Sequence, residues 1–371
     1  LKQCFRLQKR EPWASMASLQ RSGTLHAAAA AGDAERVGQL LDAGAVWHEI
    51  SSASGQTAGE LAFAAGHPHA FEVLVTRAVQ SERAARARTR HVAALRRRLL
   101  PLRRLAQKRP PARTPPNRAY LRRRLRFEEG RLLDEGGRGV MMGWEAPLMD
   151  RHAELLLPRP GAAVLNVGFG LGLVDGAFQR RQPRRHVILE AHPDVLRELR
   201  ARGWHERPGV EVVAGRWQET VASLLGSERF DAVFFDTWEE SYADLREFFA
   251  LAPRLLRPGG KLSYFNGCAS YNIFYHAVYC RLAQEDLREL GLKCMFAPTS
   301  VANLGDDTWD GISRKYWRFR TYYLPVARFG DCDLCRHEVS SERSSCSICA
   351  ADEAKYYREW PSPAVQVGDS I

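Results

Sequence analysis

Five short apolar runs recur along the middle of the chain with helical text between them: AVLNVG (Ala163 to Gly168), HVILEA (His186 to Ala191), VEVVAG (Val210 to Gly215), FDAVFFD (Phe230 to Asp236) and KLSYFN (Lys261 to Asn266). Strands apolar on both faces belong in a sheet covered on both sides, and helices between them supply the crossovers that parallel pairing needs. The order strand, glycine-rich turn, helix, strand predicts an α/β domain with a doubly wound, mainly parallel sheet. Runs around Cys294 to Pro298 and Trp317 to Leu324 are expected to complete it as an antiparallel pair.

The chain has 371 residues, 45% hydrophobic and 10% aromatic. That is enough for a full core and for two domains, or one with a substantial extension. No run of about 18 apolar residues occurs, so no transmembrane helix and no membrane partner are expected. The opening text LKQCFRLQKREPW lacks Met and lacks a signal-peptide apolar stretch, with Met16 as a possible start. Cys4, Cys268, Cys280 and Cys294 are scattered, which fits a reducing compartment better than a disulfide framework, and a cytoplasmic and nuclear location is expected.

Positive charge is concentrated. Ser81 to Arg126 holds 17 Lys and Arg against one acid, Glu82, while the whole chain carries +11. Such an arm is either a solvated helix surface or a contact for RNA, a ribosomal surface or an import receptor. The prolines of PPARTPPN (Pro110, Pro111, Pro115, Pro116) interrupt it and mark a domain boundary.

Ahead of that arm, GTLHAAAAAGDAERVGQLLDAGAVWHEI is followed by SGQTAGELAFAAGHPHAFEVLVTRA. Small alanines let antiparallel helices approach, and Gly32 and Gly44 end them. The text resembles ankyrin repeats, whose opening motif is matched by Thr24, Leu25, His26 and Ala27 without its proline. Two repeats are few for a free-standing solenoid, so the module is expected to pack on something else. The bland alternative is an Ala-rich helical hairpin. The expected organisation is a disordered segment 1–22, ankyrin-like repeats 23–80, a basic linker 81–119, the α/β domain 120–327 and a Cys-rich extension 328–371.

After the first run the chain reads VGFGLG, with Gly168, Gly170 and Gly172. The next run ends in Glu190, about 20 residues on, where such folds place the acid that grips ribose hydroxyls. That pairing alone allows a nicotinamide, a flavin or S-adenosylmethionine. LLRPGGKLSYFN (Leu255 to Asn266) resembles the Pro-Gly-Gly turn of class I methyltransferases, and FFDTW sets an acid where methyl donor meets acceptor, which favours methyl transfer over hydride transfer.

One further stretch, VMMGWEAPLMD (Val140 to Asp150), sets a lone acid, Glu145, in apolar text beside Trp144. Such a group needs a partner. Together, VMMGWEAPLM, VLNVGFGLG, LEAHP, GRWQE, FFDTW and LLRPGGKLSYFN resemble guanidinoacetate methyltransferase, and more closely the ankyrin-bearing protein arginine N-methyltransferase 2 family, over about Phe127 to Pro325 and the N-terminal repeats. The resemblance implies a class I S-adenosylmethionine-dependent methyltransferase fold, with Glu145 and Asp236 holding a guanidinium. Paired oxygens suit that planar cation. The competing reading of Glu145 is a salt bridge to one of the chain's own arginines.

The resemblance further implies methylation of the internal δ-nitrogen of an arginine in a protein, for the family a ribosomal large-subunit protein. It maps the donor site onto Met149, Gly168, Phe169, Gly170, Leu171, Gly172, Leu173, Val174, Glu190, Ala191, His192, Trp217, Gln218 and Asp236, with Phe127 as an aromatic lid. Trp217 and Met149 also suit plain packing. Asn166 stands where many methyltransferases carry an acid. The paired-glutamate loop of ω-nitrogen enzymes is missing; WEESY (Trp238 to Tyr242) has two acids at another spacing.

In the tail, Cys332, Cys335, Cys346 and Cys349 form two CxxC pairs ten residues apart, a spacing that suits a structural four-thiolate zinc site, with free thiols as the alternative. Two rival functions remain at this level: a small-molecule guanidino methyltransferase, and a non-catalytic ankyrin scaffold.

Overall fold

The computed structural model describes residues 16–99, 119–226 and 229–330. Four helices come first: α1 (Met16–Ala31), α2 (Ala34–Asp42), α3 (Ala58–Ala64) and α4 (Pro68–Leu99). Each later start has a local cause. Asp33 accepts the Arg36 N–H at the head of α2, and Thr57 and Glu60 form a reciprocal capping box at the head of α3. Gly32 and Gly44 follow the first two helices at positive φ, +76° and +90°, as expected. The loop between the helix pairs carries a single antiparallel bridge, Ile50 to Thr57.

Two expectations shift here. Helix α1 begins at Met16, inside the segment read as disordered, and α4 runs unbroken through residue 80 into the basic arm. Alanine-rich and arginine-rich text are both good helix formers, so a change in charge does not end a helix.

A three-stranded antiparallel sheet follows: β1 (Leu125–Glu128), β2 (Arg131–Asp134) and β3 (Gly139–Met142). Helix α5 (Ala146–Leu156) leads into the main domain. There strands β4 (Ala163–Val167), β5 (Arg185–Glu190), β6 (Val210–Ala214), β7 (Phe230–Phe235), β8 (Leu256–Tyr264), β9 (Leu292–Ser300) and β10 (Thr321–Phe329) form one sheet in the order β6-β5-β4-β7-β8-β10-β9. The first five are mutually parallel, and β10 runs antiparallel to both β8 and β9. This is the class I methyltransferase topology, and it bears out the predicted closing antiparallel pair.

The intervening helices are α6 (Leu173–Gln179), α7 (Pro193–Ala201), α8 (Trp217–Thr220), α9 (Tyr242–Phe249), α10 (Ala252–Leu255) and α11 (Ile273–Arg288). Every residue of β4 is buried, as a central strand covered on both faces requires. Among the described residues no helix is long and apolar enough to cross a membrane.

The N-terminal helices do pack on something else: helix α11. Phe274 is fully buried between Trp47 and Phe71, each 6.0 Å away by ring centroid. A Cβ on Gly59 would stand 2.1 Å from the Phe274 ring, so a glycine in α3 makes room for it. Around this plug, Glu72 pairs with Arg281 at 2.9 Å. Arg83 pairs with Glu289, and Arg86 with Asp286 at 3.2 Å. The first arginines of the basic arm are thus engaged by acids of the chain's own α11.

Candidate active site

Strand order reverses between β4 and β7, and open α/β sheets bind ligands in the crevice outside the strand ends at such a point. A cleft lies there, lined by Gly168 and Gly170 after β4, Glu190 and Ala191 at the end of β5, Trp217 and Gln218 in α8, and Asp236 and Thr237 after β7. Gly168 has φ +98°, and a Cβ there would fall 2.0 Å from the Asp236 carbonyl oxygen. Only glycine lets the loop lie against the chain leaving β7.

Glu190 is 7% exposed. Its Oε2 accepts the Phe169 N–H at 2.8 Å, and its Oε1 accepts those of Ala191 at 2.7 Å and His192 at 2.6 Å. Burial pushes its pKa up, these backbone donors pull it back, and the balance stays above the ordinary glutamate value. The acid expected to face ribose therefore also braces the glycine loop. Asn166 does so from behind, its Nδ2 donating to the Gly168 carbonyl at 2.9 Å and to Asp175 at 2.8 Å.

The far wall is tied to Glu240, a residue that sequence reasoning did not single out for the site. Its carboxylate accepts from Trp217 Nε1 at 2.8 Å, Gln218 Nε2 at 2.8 Å and the Thr237 hydroxyl at 2.6 Å. The other acid of WEESY, Glu239, sits at φ +56° and pairs with Arg123 at 2.6 Å and Arg138 at 3.0 Å. Both arginines also reach Asp134. This knot fastens the small sheet over the cleft, where Leu132, Val140 and Met141 form its cover with Tyr120.

Glu145 is fully buried, in the turn between β3 and α5. Its Oε1 accepts the Met142 N–H at 2.9 Å and the Tyr316 hydroxyl at 2.5 Å. Burial raises the pKa of the Tyr316 and Tyr322 hydroxyls far above normal, and the negative charges of both Glu145 and Asp236 add to it. Trp144 lies 5.8 Å from the Tyr316 ring and 5.9 Å from Trp309, which lines this region with aromatic faces.

The family model for guanidinoacetate N-methyltransferase matches residues 127–313. A protein arginine N-methyltransferase 2 from Cryptococcus neoformans var. neoformans serotype D is 32% identical over 335 residues, covering 82% of this chain and 85% of that protein. The chain belongs to the guanidinoacetate N-methyltransferase family. Proteins named protein arginine N-methyltransferase 2 from Aspergillus oryzae and Aspergillus fumigatus are 42% and 43% identical over 217 and 214 residues. Those matches cover 58% and 57% of this chain, which spans about half the length of either Aspergillus relative, 52% and 50%.

Of the donor-site positions that the family resemblance implies, Gly168, Gly170, Glu190, Ala191, Trp217, Gln218 and Asp236 line the cleft. The others surround it. Phe169 is buried against Trp204 at 5.3 Å, His192 caps α7, and Gly172 caps α6, which Leu173 and Val174 begin. Leu171 packs beside that loop. Met149 is fully buried on the inner side of α5, and Phe127 is partly buried and packs on the core beside the small sheet. Tyr120, Glu240 and Tyr316 were missed, since each reaches its partner only through tertiary structure. Cys332, Cys335, Cys346 and Cys349 lie outside the described residues.

Proposed function

We propose that the protein is an S-adenosylmethionine-dependent arginine methyltransferase acting on the internal δ-nitrogen of an arginine in a protein substrate. The observations that support this reading are the fully buried Glu145, whose Oε1 is held by the Met142 N–H and the Tyr316 hydroxyl, and Asp236 in the lining of the cleft. A guanidinium has five N–H donors in a planar fork and is tolerated in a buried site when carboxylates neutralise it.

The cleft suits the methyl donor. Glycines at 168 and 170 let a ligand approach the backbone, Glu190 offers an ionisable acceptor at the end of β5, and Gln218 Oε1 is buried there without a hydrogen-bond partner among the described residues. That acceptor fits an exocyclic amine such as adenine carries. When bound, the donor supplies an electrophilic methyl on a sulfonium, which leaves as a neutral thioether.

This chain's residues do the rest. A delocalised guanidinium presents almost no lone pair at the δ-nitrogen, and two carboxylates draw its charge onto the outer nitrogens. As the new N–C bond forms, the δ-nitrogen sheds its proton to Asp236, which borders the cleft. The cover of Tyr120, Val140 and Met141 excludes water.

The substrate class follows the names of the relatives, and a ribosomal large-subunit protein, in the cytoplasm or nucleus, is our working target. The paired helices with their Ile50 to Thr57 bridge support reading residues 23–80 as ankyrin-like units. The later part of the basic arm is left for RNA or ribosome contact, and the tail cysteines for one structural zinc. The test is mass spectrometry of protein from cells lacking the enzyme, after incubation with purified chain and labelled donor. Methyl-δ-arginine in protein, lost with Glu145→Gln at unchanged donor affinity, is expected. Methylation of guanidinoacetate alone, or full activity of Glu145→Gln, would overturn the reading.

A further inference from the structure

We propose that Tyr316 is a positioning residue for methyl transfer: its hydroxyl fixes the orientation of the Glu145 carboxylate that receives the guanidinium. The inference rests on the function proposed above. Two donors, the Met142 N–H and the Tyr316 O–H, converge on the same oxygen, Oε1. With one oxygen held from two directions, the carboxylate plane is set, and the plane decides how a fork of N–H donors can meet it.

Tyr316 is itself held from several sides. Its carbonyl accepts the Ser270 hydroxyl, and the Ser270 carbonyl accepts the Arg318 N–H at 3.1 Å. Its ring lies between Trp144 at 5.8 Å and Trp309 at 5.0 Å. Gly139 in β3 leaves space for it: a Cβ there would sit 3.0 Å from the ring edge. The phenol is 7% exposed, and burial with the fields of Glu145 and Asp236 keeps it protonated, so it remains a donor at any working pH. It touches Glu145 from 171 residues away in sequence.

A hydrogen bond to a charged group predicts a loss of about tenfold to a hundredfold in single-turnover rate for Tyr316→Phe. Donor affinity, read by calorimetry with S-adenosylhomocysteine, should stay within about twofold of wild type, inside ordinary surface-mutation scatter. The double variant Glu145→Gln/Tyr316→Phe should be no slower than Glu145→Gln alone, because the hydroxyl acts through that carboxylate. If Tyr316→Phe fails to fold, 4-fluorophenylalanine at position 316 keeps the shape without the donor and should show the same loss in rate.

Labelled S-adenosylmethionine and protein from cells lacking the enzyme serve as donor and acceptor. A wild-type rate in Tyr316→Phe, with Glu145→Gln inactive, would overturn the positioning role and leave the proposed function standing. An active Glu145→Gln would instead remove the function itself.

Discussion

Glu190→Gln separates two duties that one carboxylate performs. In the native chain Oε1 takes the N–H groups of Ala191 and His192, and Oε2 takes that of Phe169. An amide has one acceptor oxygen. If that oxygen keeps the pair at the end of β5, the new NH2 faces the Phe169 N–H, donor against donor, and the glycine loop must move. One buried unmet donor costs about 1–3 kcal/mol. Charged where the loop is preformed for the ligand, that cost predicts donor binding weaker by about fivefold to 150-fold.

Calorimetric titration with S-adenosylhomocysteine, alongside a melting curve, measures both duties at once. A Gln variant with native affinity and native melting temperature would refute the argument. The pH dependence has a definite sign. Folded Glu190 titrates above its ordinary 4.5, so the buried anion is the costly form. Its stability contribution is present below the unfolded value and is lost as pH rises through the raised folded value. Donor affinity runs the other way and falls as pH drops through that raised value, because the backbone donors and ribose hydroxyls need the anion.

Gly168→Ala should abolish donor binding, since its Cβ would meet the Asp236 carbonyl oxygen at 2.0 Å at a φ of +98°; retained affinity by calorimetry would contradict the packing. Phe274→Ala should destabilise the seat of the N-terminal helices by about 3–5 kcal/mol, seen as earlier proteolytic cleavage within them; an unchanged digestion pattern would count against the plug. The full chain purified without chelator should carry close to one zinc, lost in Cys332→Ser/Cys335→Ser; metal analysis finding none would remove the tail site.

What the sequence made legible follows from burial. Strands β4, β5 and β7 are covered on both faces, so they read as unbroken apolar runs, and Glu190 and Asp236 stand at their ends where the fold requires acids. Glu145 stood out because a charge in apolar text has few solvated explanations. The small sheet did not stand out. Its strands are four residues each, and RFEEGRLLDEGGRG mixes charges from the Arg123, Asp134, Arg138 and Glu239 knot with turn residues. Tyr316 and Glu240 carry no local signal, because their roles lie in hydrogen bonds across 171 and 23 residues.

The span from Gly139 to Glu145 has a consequence for how such a chain can change over time. Val140 and Met141 cover the donor cleft, Met142 hands its N–H to Glu145, and the Gly143 N–H is bonded to the Gly130 carbonyl at 2.6 Å. Seven residues therefore line the cleft at one end and carry the buried Glu145 at the other, in fixed phase. Gaining or losing one residue turns every side chain of β3 to the other face, so the cover of the cleft and the setting of Glu145 would be lost together. Variation here has to proceed by replacing side chains at constant length, and any change in how Glu145 is set carries the cover of the cleft along with it.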